Sequence, residues 1–193
     1  MHEIRSRLLL PVGLFAAVLA VSTASIFIRF AQAEAPSLVI AALRLTFATL
    51  ILAPVALTRH REELRKLTRR EITLGIISGL FLTAHFATWI TSLEYTSVAS
   101  SAVFVATGPL WVALLSPMLL NEHLTQTAVI GLALALFGGI VVGLSDACVI
   151  HKGILCPELS QILQGRAMWG NFLALAGAWA VTGYLIIGRK LRA

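Results

Sequence analysis

Apolar residues in this chain come in long runs, and polar residues collect in short segments between them. The runs lie near Leu8 to Phe30, Pro36 to Leu57, Ile72 to Leu93, Val98 to Leu120, Thr127 to Leu144 and Trp169 to Ile187. A run of about 18 or more residues spans roughly 30 Å of hydrocarbon as a helix. Lipid offers no partner to backbone N–H and C=O groups, so such runs fold as helices. The short alternating segments of an outer-membrane barrel are absent from the pattern. The predicted fold is all-α: a polytopic transmembrane helical bundle of six spans. Several connections have only about five residues, which makes sequential helices antiparallel neighbours.

Composition removes the soluble alternative. Of the 193 residues, 58% are hydrophobic and 12% charged, against roughly 25% charged in soluble domains. The mean hydropathy is +0.89. The charge is clustered: Arg59, Arg61, Arg65, Lys66, Arg69 and Arg70 share one segment, and Arg189, Lys190 and Arg192 close the sequence. Basic loops between apolar spans orient membrane proteins, so the net charge of +6 reports topology and calls for no nucleic acid. Arg5 and Arg7 before the first run have the form of a signal peptide. The run continues past Ser22, Thr23 and Ser25 to Phe30, however, which is long enough for a membrane helix. Eleven Lys and Arg fall on the side of the N-tail, second loop and C-tail, against three (Arg29, Lys152, Arg166) on the other. The expectation is a multi-pass protein of a plasma membrane with both termini in the cytoplasm. Cys148 and Cys156 then lie in an outside loop, where a disulfide requires an oxidising compartment. With His151 between them they form no metal framework, and neither a metal nor another cofactor is expected.

Small residues four apart mark helix-packing faces: Gly75 and Gly79, Gly139 and Gly143, Ala174 and Ala178. Ionisable residues inside spans are costly and mark functional cavities. Two stand out, Arg44 and His85. Each lies eight positions from the outer end of its span, about 12 Å deep. Thr107, Gly108 and Pro109 come to nearly the same depth on the fourth span, where Pro109 must free a carbonyl one turn earlier. Trp89 is one turn beyond His85 and shares its face. Arg44, His85, Trp89, Thr107 and Pro109 are therefore the candidate substrate-binding residues. Two plainer roles stay open, His85 bonding a neighbouring helix and Trp89 anchoring at the interface. Glu34, Glu94 and Glu122 lie near membrane edges, where solvation or helix capping accounts for them.

The segments FIRFAQAEAPSLVIAALRLTFATLILAPVAL, HFATWITSLEYTSVASSAVFVATGPLWVALLSPMLLNEHLT and IGLALALFGGIVVG together resemble the EamA family of the drug/metabolite transporter superfamily. The most specific pieces are Arg44 within ALRLTFA, the Leu93 to Ser97 segment leading to Gly108 and Pro109, and Glu122 ahead of Gly131 and Gly138–Gly139. The resemblance implies ten helices in two inverted repeats of five, around a cavity opening alternately to each side. On that pattern residues 1–145 form the first repeat, 146–168 an extracytoplasmic linker and 169–193 the first helix of a second repeat. The chain thus resembles an incomplete ten-helix transporter. The implied function is transport of a small organic metabolite, such as an amino acid or a drug-like solute, with export favoured over import. The implied partners are the solute, the lipid bilayer and either a second copy or a second half-transporter chain. An incomplete or inactive subunit is the alternative. An intramembrane enzyme is not expected: Ser100 and Ser101 sit in no Gly-flanked turn and His85 has no orienting acid.

Overall fold

The computed structural model describes residues 2–119, 124–147, 149–150, 154–155 and 165–192, with side chains at 11–119, 124–141 and 165–192. Cys148, Cys156, His151 and Glu122 lie outside the described residues. In order, the elements are α1 (His2–Ala31), α2 (Ser37–Arg59), α3 (Arg61–Arg65), α4 (Arg69–Ser92), α5 (Val98–Val105), α6 (Gly108–Leu119), α7 (Gln126–Ala147), β1 (Val149–Ile150), β2 (Ile154–Leu155) and α8 (Arg166–Lys190). Five stretches are long and apolar enough to cross a membrane: Pro11–Ala31, Ser37–Arg59, Arg69–Ser92, Val98–Leu119 and Arg166–Lys190. The fifth predicted span appears as the shorter apolar stretch Gln126–Val141 within α7. The chain is a polytopic helical bundle.

Local chemistry fixes where the helices start. Thr68 and Glu71 form a capping box: the Glu71 N–H donates to Thr68 Oγ1 at 3.3 Å, and the Thr68 N–H donates to Glu71 Oε2 at 2.7 Å. Ser97 Oγ accepts from the Ser100 N–H at the start of α5, and Thr125 Oγ1 from the Ala128 N–H at the start of α7. The first N–H of α2, at Ser37, donates to Glu94 Oε1 across 3.3 Å, so Glu94 caps a neighbouring helix. Pro109 has its expected effect. The fourth span divides into α5 and α6 at Ala106 and Thr107, where both the Thr107 N–H and its hydroxyl turn back to Phe104 O, at 3.2 and 2.7 Å.

Two short elements lie outside the hydrophobic pattern. The basic second loop contains α3, whose sequence REELR pairs Arg65 with Glu62 at 3.6 Å, three residues apart. The connection after α7 contains a minimal antiparallel ladder, Val149 opposite Leu155 and Ile150 opposite Ile154.

The bundle has an inverted dress. Met118, Phe15 and Ile51 are 79%, 71% and 71% exposed, while Ser37, Ser78, Ser92, Ser101, Ser116 and Thr182 are buried, as are Ala174 and Ala178. Lipid solvates the large apolar side chains, so the interior is left to small residues that let backbones approach and to hydroxyls that find partners there. α8 runs antiparallel to α4 and also packs on α5 and α6. A Cβ at Gly170 would come within 2.8 Å of Thr96, and one at Gly183 within 2.8 Å of the Phe81 ring. At Gly177 it would lie 3.3 Å from Trp89 Cβ and 3.4 Å from His85 O. This seam follows a spacing near seven, with Ala174 and Ala178 fully buried between its glycines. Gly75 and Gly79 do not pack: nothing lies within 4 Å of a Cβ at either. They sit roughly 100 to 140° round α4 from the side that meets α8.

Candidate functional site

α2 and α4 face each other near their outer predicted ends, and Arg44 and Trp89 meet there. Ala41 and Ile40, one turn before Arg44, pack in an apolar cluster with Ile28, Trp89, Ile90, Leu93 and Phe86. This cluster sets the rotation of α2 so that Arg44 lies against α4. The Arg44 guanidinium carbon is 4.9 Å from the centre of the Phe86 ring and 5.9 Å from that of Trp89, both within cation–π range. The His85 ring stacks on Trp89 with centroids 5.7 Å apart and an interplanar angle of 19°. It also tilts against Phe86 at 4.9 Å. Positions 85 and 89 are one turn apart, and 86 is next to them on the side that faces α2.

Each member has a defined hydrogen-bonding state. His85 Nδ1 lies 2.8 Å from Gly177 O on α8. A carbonyl only accepts, so Nδ1 carries the proton and donates it. His85 thus ties α4 to α8 and also belongs to the aromatic group beside Arg44. Trp89 is buried, and its indole N–H has no partner among the described residues, which does not suit an interfacial anchor. Arg44 is partly buried. The ion pairs among the described residues are His60 with Glu63 and Arg65 with Glu62, both on the exposed loop.

No hydrogen bond or ring contact among the described residues joins Thr107 or Pro109 to Arg44, His85 or Trp89. Thr107 Oγ1 donates to Phe104 O at 2.7 Å and accepts from Trp111 Nε1 at 3.1 Å, so the hydroxyl is engaged within its own span, across the break between α5 and α6. Trp111 meets Trp179 of α8 edge-on at 5.6 Å. The next residue, Gly108, is held to α8: its carbonyl accepts from Thr182 Oγ1 at 3.3 Å and its Cα faces Val181. Pro109 is exposed on the bundle surface. The residues that sequence reasoning passed over are Phe86, the nearest ring to Arg44, and Gly177, the acceptor for His85. Phe86 was legible as the residue after His85, but the Gly177 contact depends on how α8 docks.

Away from this group, a concavity of about 420 Å³ is lined by Leu67, Glu71, Ile72, Gly75, Ile76 and Leu191. It lies some 14 residues before His85 on α4, or about 21 Å along the helix. Its one charged lining residue, Glu71, already caps Thr68 through Oε2, and the other lining side chains are apolar or absent, so it offers no convergent set of polar groups for orienting a ligand.

Residues 10–144 match the model of a family described as the EamA-like transporter family. The chain is also similar to a protein of Helicobacter pylori named an uncharacterized transporter, 33% identical over 101 residues. That match covers 52% of this chain and 30% of the relative's own length. No solved structure matches it.

Proposed function

Because this chain belongs to the EamA-like transporter family, we propose that it carries a small organic solute across a membrane by alternating access, with the facing sides of α2 and α4 lining the path. The observation that supports this most is Arg44, a guanidinium within a span, set against Phe86 and Trp89 rather than against a carboxylate. A charge at that depth is expensive unless it faces a water-filled cavity or a ligand. Aromatic walls around a charged group are a common composition for a solute site.

His85 has a joining role in this reading. It lies beside Trp89 on one side and holds Gly177 of α8 on the other, so a solute that moves Trp89 would also work on the α4–α8 contact. Thr107 and the break at Pro109 serve as a bending point in the fourth span, not as solute contacts. The host is a plasma membrane, both termini are cytoplasmic, and export is favoured. Residues 1–145 form one repeat of the architecture and α8 opens the next.

The test is flux of a mixed amino-acid and metabolite panel in vesicles that contain only this chain, beside Arg44→Ala. Flux that falls at least tenfold in Arg44→Ala is the expected result. Well-inserted protein without flux would favour the other reading, a membrane subunit that requires a second chain.

A further inference from the structure

We propose that the α2–α4 site takes an organic carboxylate, bound by the in-plane N–H groups of Arg44 and the indole N–H of Trp89. This rests on the reading of that site as the solute path.

The Phe86 and Trp89 rings contact the guanidinium as cation–π partners, an interaction with the π face of each ring that supplies no oxygen acceptor. The guanidinium's five N–H donors have no acceptor among the described residues, and they form a fork that matches a carboxylate two bonds at a time. No described carboxylate occupies that fork: Glu94, on the segment after α4, caps the Ser37 N–H at 3.3 Å. The second observation is independent of the charge. Trp89 is 7% exposed and its Nε1 has no acceptor among the described residues. A buried N–H without an acceptor costs about 1 to 3 kcal/mol, and its ring centre is 5.9 Å from the Arg44 guanidinium carbon.

The two groups share one chemistry. Both are donors only, so a neutral amide offers them one acceptor oxygen with no compensating charge, and an ammonium ion would be repelled by Arg44. A carboxylate accepts from both and brings the compensating charge. His85 cannot supply the missing acceptor through Nδ1, which is committed to Gly177.

The test is equilibrium dialysis of the full chain in nanodiscs with radiolabelled phenylacetate and butyrate, using phenylacetamide and phenethylamine as competitors. Saturable binding of a carboxylate is expected, with neither competitor displacing it at equal concentration. Arg44→Gln should weaken binding about ten- to hundredfold and Trp89→Phe about two- to tenfold, as expected for losing a charged and a neutral hydrogen bond. Circular dichroism and gel filtration identify variants that fold. If Arg44→Gln misfolds, Arg44→Lys replaces it, and retention of charge with loss of the fork should leave intermediate affinity. Equal displacement by the amide, preferential binding of the amine, full affinity in folded Arg44→Gln, or no carboxylate binding by folded wild type would each overturn the proposal. Arg44-independent flux of a neutral or cationic solute would overturn the carboxylate while leaving transport in place. Carboxylate binding without flux of any solute would do the reverse.

Discussion

His85 shows how much of a site the identity and spacing of residues can define. Its pairing with Trp89 is a property of one helix, because residues four apart lie on one face whatever the helix docks against. Its bond to Gly177 depends on another helix 92 positions away. The contrast with Thr107 has the same cause. Counting residues from a span's end gives depth, and Arg44, His85 and Thr107 are level by that count. Depth carries no information about rotation round the helix axis or about local partners, and the Thr107 hydroxyl is taken up by Phe104 O and Trp111 Nε1 of its own span. Loss of the His85 ring removes the side-chain hydrogen bond that α4 makes to the Gly177 carbonyl of α8. His85→Ala should therefore destabilise the protein by about 1 to 2 kcal/mol, read as an earlier midpoint in SDS unfolding titrations.

At the level of elements, the spans were legible because hydrophobic length and helix length are tied by the thickness of hydrocarbon. The break in the fourth span was legible because proline cannot donate. The seam between α4 and α8 was not: small residues occur on every span, and a four-residue spacing fits Gly75 and Gly79 as well as Ala174 and Ala178. What separates them is whether a neighbour's backbone arrives. The seam makes a graded prediction. Gly170→Ala places a methyl group 2.8 Å from the Thr96 backbone N and Cβ, which have little freedom to give way, and should cost about 1 to 3 kcal/mol. Gly188→Ala meets nothing within 4 Å and should be neutral or stabilising by up to about 1 kcal/mol. Thermal melts of the two variants in the same detergent would compare them directly.

For the whole molecule, the exposed apolar surface and the buried hydroxyls describe one solvent, hydrocarbon. The orientation proposed from the Lys and Arg count is open to a direct check. A fluorescent protein fused after Arg192 should fold and glow, and alkaline phosphatase inserted in the 146–168 connection should be active, since each reporter works on only one side of the membrane. Reversed signals would overturn the orientation.

The antiparallel docking of α8 on α4 also has a meaning in time. α4 leaves the ribosome well before α8, and at about 5 to 20 residues per second the 92 positions between His85 and Gly177 take roughly 5 to 18 s to synthesise. Through that interval Ser78, His85 and Thr88 lack the helix they will pack against, and they must be tolerated by lipid, by α2 or by the insertion machinery. The third span is therefore a nascent client waiting for α8, and the delay between the two is a vulnerable stage of this protein's biogenesis.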